Sequence, residues 1–259
     1  IQTWHACGAF KKFGYSVADK KFGAGRKDLD RFPLHRNFSY VTVSSPEVVW
    51  AYAEAFHMEQ EQEKILPLGI SRTDVFYQDG FLGGARRKLY EKLPTARGKR
   101  VILYAPTFRG RVAEAVSPEV LDFERMREAL GRDYVVLCKH HPFVKRRPEI
   151  PASCGDFAFD VTGSLEIDEL LAVSDVCISD YSSLVFEYSL FERPMIFLAH
   201  DLAEYFDWRG FYYPYREMAP GPVVSSTGEV IDYILKLPGS FDRRRVVDFK
   251  EKFMGACDG

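Results

Sequence analysis

The 259-residue sequence lacks several features that would assign its class at once. Its five cysteines are scattered and none stands in a Cys-x-x-Cys pair, so neither a zinc knuckle nor a disulfide framework is indicated. No apolar run approaches the ~18–20 residues of a membrane-spanning helix. Lys and Arg number 35 against 37 Asp and Glu, a net charge of -2, which argues against a general nucleic-acid binder. No internal repeat or low-complexity tract is present.

What is present indicates a folded protein with many aromatic side chains. Hydrophobic residues at 46% and charged residues at 28% exclude intrinsic disorder. Aromatic residues reach 15%, which predicts aromatic-lined clefts or contact surfaces beyond one chain's own core. Cys138 and Cys177 lie in apolar runs and are expected to be buried thiols in a reducing, cytosolic setting. The chain starts at Ile1 and not at Met, so we interpret it as a piece of a longer protein.

The order of apolar and amphipathic segments predicts an α/β fold. From Lys99 onward, short apolar strands such as 101–105 and 134–139 alternate with helices, as in a doubly wound parallel sheet covered on both faces. We therefore predict an α/β domain over residues 99–259. Residues 1–66 form a separate region with a strand at 40–45 and a helix that Ser45 caps, and residues 67–98 connect the two.

Polar and cationic residues follow three of the predicted strands. In doubly wound sheets, ligands bind beyond the carboxyl ends of the strands. The residues that follow these strands are, in chain order, Thr107 and Arg109, then His140 and His141, then Asp180, Ser182 and Ser183. The convergence of three strand ends predicts one binding site at this edge of the sheet.

The sequence SDYSSLVFEYS carries the sharpest signal. Ser182 and Ser183 start a helix directly after a strand, so free N–H groups, two hydroxyls and the positive end of the helix dipole face one spot. This predicts a phosphate-binding turn without glycines, with an ordinary helix N-cap as the alternative. Arg109 and the two neighbouring histidines favour an anionic ligand. Glu187, one turn into the helix, is a candidate acceptor for hydrogen bonds from a ribose.

Two histidines are candidates for chemistry. His141, held rigid by Pro142, is a candidate cation or acid beside a phosphate, and a surface loop histidine is the alternative. His5 suits a general base because its pKa lies near neutrality, although a structural role is the more expected one from the residues alone. We assign no role to His140 and treat the remaining three as structural: His35, His57 and His200.

Five sequence blocks occur in a recognisable order: WH followed by KK, then APTFR, HP, SDYSSLVFEYSLFERP, and RGFYYPY with APGPVV. Together they resemble the CDP-glycerol glycerophosphotransferase family of teichoic-acid synthesis, over nearly the whole chain. The resemblance implies a glycosyltransferase-B-like fold in which residues 1–66 are the remnant of a truncated, acceptor-side, Rossmann-like N-terminal domain. It also implies that residues 99–259 form the nucleotide-binding domain.

The resemblance further implies roles for individual residues. His5 matches the family's suspected base toward the acceptor hydroxyl, and His141 matches the histidine thought to assist at the donor phosphates. The other matched positions are Ser182 and Ser183, which would hold the pyrophosphate, Thr107 and Arg109 in the PT-aromatic-R block, and Arg209 in RGFY, whose role is unassigned. The chain reads WHACGAFK where the family often has WHGTPLK, so Ala6 and Cys7 replace glycine and threonine.

The expected reaction is transfer of a polyol phosphate, above all glycerol phosphate, from CDP-glycerol or a related CDP-polyol to a lipid-linked or polymeric acceptor, with release of CMP. Charge on the leaving phosphate would be met by the serine turn, Arg109 and His141. We expect no metal, cofactor or nucleic-acid partner, and a cytoplasmic protein peripheral to the inner face of the cell membrane. Two alternatives stay open: a sugar-nucleotide glycosyltransferase or epimerase of the same fold, and an inactive nucleotide-binding fragment.

Overall fold

A computed structural model describes residues 1–18, 20–35 and 37–259. Within these residues, short strands form two parallel sheets. The strands are β1 (Val41–Thr42), β2 (Ile65–Leu66), β3 (Arg100–Ala105), β4 (Tyr134–Cys138), β5 (Ala158–Asp160), β6 (Val176–Ser179), β7 (Met195–Leu198) and β8 (Val223–Val224). The helices are α1 (Arg26–Arg31), α2 (Val49–Phe56), α3 (Phe81–Lys92), α4 (Phe123–Leu130), α5 (Ile167–Val173), α6 (Leu184–Ser189), α7 (Leu202–Trp208), α8 (Tyr215–Met218), α9 (Thr227–Leu235) and α10 (Arg243–Met254).

The larger sheet has six parallel strands in the order β5-β4-β3-β6-β7-β8. The chain runs outward from β3 through β4 to β5, then crosses back to β6 on the other side of β3 and continues to β8. The strand order therefore reverses between β3 and β6, and the loops after these strands open a crevice between them. The doubly wound sheet predicted for residues 99–259 is confirmed.

Side chains alternate between the two faces along each strand, so apolar residues form a core on each face of this sheet. Ile102 and Tyr104 of β3 join the core that α4 and α9 cover, whereas Val101 and Leu103 join the core beneath α5, α6 and α10. Successive side chains of a strand point to opposite faces, so a strand buried on both sides is apolar throughout. Each fully buried Val, Leu or Ile stabilises the fold by about 1.5–3 kcal/mol. These cores fix the strand ends that carry the polar loops.

The smaller sheet pairs β1 with β2 in the N-terminal part of the chain. The Ser45 side chain accepts a hydrogen bond from the Glu47 backbone N–H, and Pro46 lies in the first turn, as the sequence predicts. The strand predicted at 40–45 is shorter than expected, because the Ser44 carbonyl accepts from Ala256 N–H at 3.0 Å instead of extending the ladder, while the Ser44 hydroxyl donates to Phe253 O at 2.7 Å.

The N- and C-terminal parts of the chain share one continuous core. The N–H of Ala256 donates to Ser44 O at 3.0 Å, and Lys12 N–H donates to Gly210 O at 3.1 Å. The division at residues 66 and 98 stays a prediction, since these contacts tie the first region directly to residues 99–259. All five cysteines are free and buried, as expected for Cys138 and Cys177. Among the described residues, no helix has the length and apolar character needed to cross a membrane.

Candidate functional site

A cavity of about 740 Å³ lies where the N-terminal loop at residues 4–14 faces the carboxyl ends of β3, β4 and β6. Aromatic side chains, among them Trp4, Phe10 and Phe108, form part of its wall, as the aromatic content predicts. Its wall also contains seven of the nine predicted site residues: His5, Thr107, His141, Ser182, Ser183, Glu187 and Arg209. The structure therefore brings most of the predicted site together.

The two serines of the SDYSS turn begin α6 at the cavity wall. Leu184 N–H reaches Ser182 Oγ at 3.4 Å, a weak cap, and the Ser183 side chain makes no capping bond. On the wall of the same cavity, the buried Thr107 hydroxyl has no hydrogen-bond partner among the described residues. A buried polar atom without a partner in the protein is what a bound polar ligand would satisfy. This geometry favours the phosphate-binding interpretation over an ordinary N-cap.

Asp180 is not among the residues that line the cavity, and its predicted role in ligand binding stays a prediction. Its carboxylate is 2% exposed and accepts hydrogen bonds from Thr107 N–H at 2.8 Å and Tyr181 N–H at 2.6 Å. Burial and these bonds consume its acceptor capacity. Through these bonds Asp180 holds the loop after β3 against the turn after β6.

Arg109 likewise is not among the residues that line the cavity, and its predicted contact with the donor phosphates stays a prediction. Its guanidinium donates to both carboxylate oxygens of Asp201 at 2.6 and 2.9 Å, to Asp180 at 2.9 Å and to Thr107 O at 2.6 Å. Burial alone would lower the pKa of Arg109, but the bonds to these two carboxylates raise it. Arg109 therefore stabilises the loop after β3 through its bonds to Asp180 and Asp201.

His141 presents one defined ring nitrogen to the cavity. Its Nδ1 accepts a hydrogen bond from Phe143 N–H at 3.2 Å, so a neutral imidazole carries its proton on Nε2. The ring packs between Phe108 and Phe143, with centroids 4.8 and 4.6 Å away. Burial lowers the pKa of His141, and the charge of Lys11 lowers it further. The side chain is therefore a neutral N–H donor at pH 7.

His5 is held in the N-terminal loop beside Trp4, with ring centroids 4.7 Å apart. Its backbone carbonyl accepts a hydrogen bond from Arg72 Nη1 at 3.2 Å. Burial, followed by the nearby Arg72 charge, lowers the pKa of His5. A histidine that stays neutral at pH 7 can accept a proton, which is the property of a general base.

Two cations on the cavity wall, Lys11 and Arg209, meet because the N-terminal loop pairs with the RGFY segment. Arg209 Nε donates to Lys12 O at 2.9 Å, and its guanidinium lies 4.0 Å above the Phe22 ring. Burial, and then the Arg209 charge, lowers the pKa of Lys11 to about 7. Sequence reasoning placed Lys11 after His5 but gave it no role. The signal was the WH…KK spacing in the resemblance.

Glu187 is buried on the cavity wall and is already paired. Its Oε1 lies 2.6 Å from Arg72 Nε, yet burial raises the pKa of Glu187 to about 7. Its predicted hydrogen bonds to a ribose stay a prediction. Arg72 was missed, because nothing in the sequence of the connector marks it as facing the cavity.

The remaining histidines and the acidic residues show no metal-ligand grouping. In the described part of the chain, no three His, Cys, Asp or Glu side chains lie together as metal ligands would. Asp28 and Asp30 form an Asp-x-Asp pair in α1, but neither lines the cavity. His140 Nδ1 is 2.8 Å from Ser117 Oγ, and His57 stacks on Tyr15 at 5.2 Å. These contacts are structural.

The whole chain matches one protein family. A sequence model described as CDP-Glycerol:Poly(glycerophosphate) glycerophosphotransferase matches residues 1–259. The chain belongs to this glycerophosphotransferase family. The resemblance of its five ordered blocks is thereby confirmed.

Relatives in the family include enzymes for two different polyols. The teichoic acid ribitol-phosphate primase of Bacillus spizizenii is 40% identical over 261 residues, which is all of this chain and 66% of that protein. The ribitol-phosphate polymerase TarK of Staphylococcus aureus is 39% identical over 262 residues, half of its length. The glycerol-phosphate primase of Bacillus subtilis is 30% identical over 260 residues, 64% of its length. The chain thus spans about half to two thirds of these relatives.

A solved wall teichoic acid polymerase has the same fold. The wall teichoic acid polymerase TagF superposes with a TM-score of 0.82 at 26% identity, covering 99% of this chain and 64% of that one. TagF has also been solved after soaking a variant with CDPG. A UDP-N-acetylglucosamine 2-epimerase, 13% identical, superposes at 0.52 over 95% of this chain and 62% of that one, and shows likeness of fold alone. The glycosyltransferase-B-like fold predicted from the sequence is confirmed.

Proposed function

We propose that this chain transfers a polyol phosphate from a CDP-activated donor to a hydroxyl of a teichoic-acid-type acceptor, and releases CMP. The observation that carries the proposal is the single cavity onto which His5, His141 and the Ser182–Ser183 turn converge. Family membership over residues 1–259 supports the reaction class. The acceptor, lipid-linked or polymeric, and work at the inner face of the membrane belong to the same proposal.

The proposed step joins the acceptor to the phosphorus that carries the polyol. The His5 imidazole takes the proton from the acceptor hydroxyl as its oxygen attacks that phosphorus. The bond from this phosphorus to the bridging oxygen breaks, and CMP leaves with the electron pair. His141 Nε2–H donates to the donor phosphates, and Lys11 and Arg209 meet the negative charge that develops there.

Positive charges border the part of the cavity where we propose that the diphosphate binds. Lys11, Arg209 and the N-terminus of α6 border one cavity, while the carboxylate of Glu187 is neutralised by Arg72. Preorganised N–H donors and cations at developing charge are usually the largest contribution to such a reaction. We therefore assign the pyrophosphate to the side formed by Ser182, Ser183 and Thr107, and the acceptor hydroxyl to the side of His5.

The donor polyol is the finer part of the proposal. The ribitol-phosphate relatives are 38–40% identical to this chain and the glycerol-phosphate relatives 30–32%. This difference leads us to expect that CDP-ribitol is used better than CDP-glycerol, whereas the family resemblance alone implies glycerol phosphate above all. Competition between the two donors at equal concentration measures the preference directly.

The reaction is tested by the nucleotide it releases. The chain is incubated with each CDP-polyol and a teichoic-acid primer, and the products are separated by chromatography. We expect CMP, and a loss of about 100-fold or more in kcat for His5→Ala, because general-base catalysis contributes about 10²–10⁴-fold. The matched control is His57→Asn, since His57 is an exposed histidine outside the cavity with φ 56, which asparagine tolerates.

Other outcomes separate the alternatives. Release of CDP instead of CMP would indicate a glycosyltransferase. Release of a free nucleoside diphosphate together with an altered sugar would indicate an epimerase. Calorimetric binding of a CDP-polyol without turnover would indicate a nucleotide-binding fragment. Full activity of His5→Ala would overturn the assignment of the base.

A further inference from the structure

Arg72 makes three contacts that no other described side chain of the cavity wall combines. It lies in the 3₁₀ segment Ser71–Tyr77 of the connector. Its Nη1 donates to His5 O at 3.2 Å, its Nη2 to Asp168 Oδ1 at 3.1 Å, and its Nε lies 2.6 Å from Glu187 Oε1. One guanidinium thus joins the N-terminal loop to α5 and α6 of the large sheet's domain.

The carboxylates behind Arg72 differ in their surroundings. The Glu187 side chain is 5% exposed, whereas that of Asp168 is 32% exposed and partly hydrated. Burying an unpaired carboxylate costs several kcal/mol, so Glu187 strongly favours a cation at this position. The planar fork of arginine can meet two carboxylates and a carbonyl in fixed directions, which lysine cannot. Arg72 therefore combines two hydrogen bonds, to His5 O and Asp168, with a close ion pair to Glu187.

His5 depends on few other contacts for its position. Its ring packs on Trp4, and the neighbouring Ala6 and Gly8 carbonyls lie 3.0 and 3.1 Å from the Tyr52 hydroxyl. Within the described residues, Arg72 is the side chain that bonds to the backbone of His5 itself. A shift of about 1 Å in a catalytic group can cost about 100-fold in rate, so this bond has a direct consequence for the reaction.

We propose that Arg72 is the positioning residue of the general base: it fixes the His5 loop against α6 and keeps a positive charge beside the imidazole. The inference rests on the proposed function in so far as His5 is the base. Glu187 is the anchor that holds Arg72 in place. The carboxylate of Glu187 then serves the site through Arg72 and not through a ribose.

The charge of Arg72 gives the proposal a signature in pH. Its positive charge disfavours protonation of His5, and removing it raises the pKa of the imidazole. A base must be deprotonated to act, so activity falls as the pH drops through this pKa, and a raised pKa moves that acid limb to higher pH. The titratable and charged groups in this contact with His5 are Arg72 and, behind it, Glu187 and Asp168. The other such groups on the cavity wall are Cys7, Lys11, His35, Tyr52, Lys139, His140, His141, Glu166 and Arg209.

Two variants separate charge from geometry. Arg72→Met removes both, so we expect turnover to fall about tenfold or more and the acid limb of kcat/KM to move to higher pH. Arg72→Lys keeps the charge but loses the fork, so turnover should fall while the limb stays in place. Arg127→Lys is the matched control, because Arg127 pairs with Asp156 on the exposed surface far from the cavity.

NMR titration of the histidine rings tests the proposal without any turnover. The His5 signal is assigned by its loss in His5→Gln, and its pKa is measured in the unmodified chain, Arg72→Met and Arg72→Lys. A raised His5 pKa in Arg72→Met but not in Arg72→Lys supports the proposal even if no CDP-polyol is a substrate. An unchanged pKa in both variants overturns it. If Arg72→Met does not fold, Glu187→Gln replaces it as the test, because this variant removes the carboxylate that anchors Arg72. Glu187→Gln must then lower turnover while the pKa of His5 stays lowered.

Discussion

At the scale of single residues, His5 and His141 are set up for opposite tasks by the atoms around them. The Phe143 N–H occupies Nδ1 of His141 and leaves its Nε2–H as a donor. His5 is fixed through its backbone carbonyl, which leaves its ring free to accept a proton. Burial lowers the pKa of both rings, so both are neutral near pH 7. Two histidines of equal chemistry thus serve as base and as hydrogen-bond donor.

Lys11 predicts how donor binding depends on pH. Its pKa of about 7 means that the side chain is a cation below that pH and loses its charge as the pH rises through it. We expect the affinity for CDP-glycerol to weaken above pH 7 by up to about tenfold per pH unit, as for one linked proton. Calorimetry between pH 6 and 9 measures it, and CDP-glycerol is chosen because its phosphates do not titrate there.

The control for Lys11 is a cation that does not titrate in this range. Lys11→Arg should bind CDP-glycerol with an affinity that is nearly constant from pH 6 to 9, and Lys11→Met should bind weakly throughout. A pH dependence that survives unchanged in Lys11→Arg would assign it to another group.

Arg109 predicts a loss of stability and not of donor affinity. Its side chain is 18% exposed and bonds two carboxylates, so Arg109→Ala leaves Asp180 and Asp201 without their cation. We expect the free energy of unfolding to fall by about 3 kcal/mol in chemical denaturation, in line with other broken buried pairs. Arg127→Ala, which breaks an exposed pair, should cost less than about 1 kcal/mol. A stable Arg109→Lys variant with a raised KM for the donor would instead place Arg109 at the ligand.

The same residue shows how far sequence reasoning reaches. Thr107, Ser182 and His141 could be predicted because a strand end alone determines which edge of the sheet they face. Arg109 has a long side chain, and its direction is decided by Asp201, which lies 92 residues further along the chain. No local pattern encodes that partner. For the same reason Arg72 could not be found before its contacts were known.

At the scale of elements, the loop after His5 approaches α6 closely enough to require glycine. Gly8 has φ +62, and a Cβ added there would lie 2.4 Å from three ring atoms of Phe186. Gly8→Ala should therefore lower the free energy of unfolding by more than about 2 kcal/mol, the sum of backbone strain and overpacking. Thermal melting of Gly8→Ala and Gly98→Ala checks this, because Gly98 has φ +75 with nothing within 4 Å of an added Cβ. Equal losses in both would refute the contact with Phe186.

Elements with a continuous apolar pattern were the ones the sequence could predict well. The strand expected at 101–105 differs from β3 by a single residue, because an interior strand of a parallel sheet is apolar on both faces. The strand expected at 40–45 reduces to two residues, since its last residues, Ser44 and Ser45, bond to the C-terminal segment. An apolar pattern indicates that a residue is buried, but it does not indicate which segment covers it. Here the covering segment is distant in the sequence.

At the scale of the whole molecule, Ser44 ties three segments together. Its hydroxyl accepts from Gly8 N–H at 2.8 Å and donates to Phe253 O at 2.7 Å, and the side chain is almost fully buried. Ser44→Ala leaves both partners unsatisfied, so we expect a loss of about 1–3 kcal/mol in the free energy of unfolding. Ser153→Ala, an exposed serine, should change it by less than about 0.5 kcal/mol in the same urea titration. A Ser44→Ala variant as stable as Ser153→Ala would show that the link is dispensable.

Fold class and family were within reach of the sequence because both rest on the order of segments. The way the two regions join was not, since the contacts of Ser44 and Lys12 span about 200 residues of chain. Hydrogen bonds between surfaces that meet only in the folded state leave no periodic signal in either segment.

The contact of α10 with Ser44 also bears on how the protein is made. During synthesis, residues 41–56 leave the ribosome long before Phe253 and Ala256, their partners in the native state. Contacts so distant in sequence form slowly, and until they form the apolar β1 and α2 stay uncovered. We therefore expect residues 41–56 to gain protease resistance only after residues 253–256 have left the ribosome.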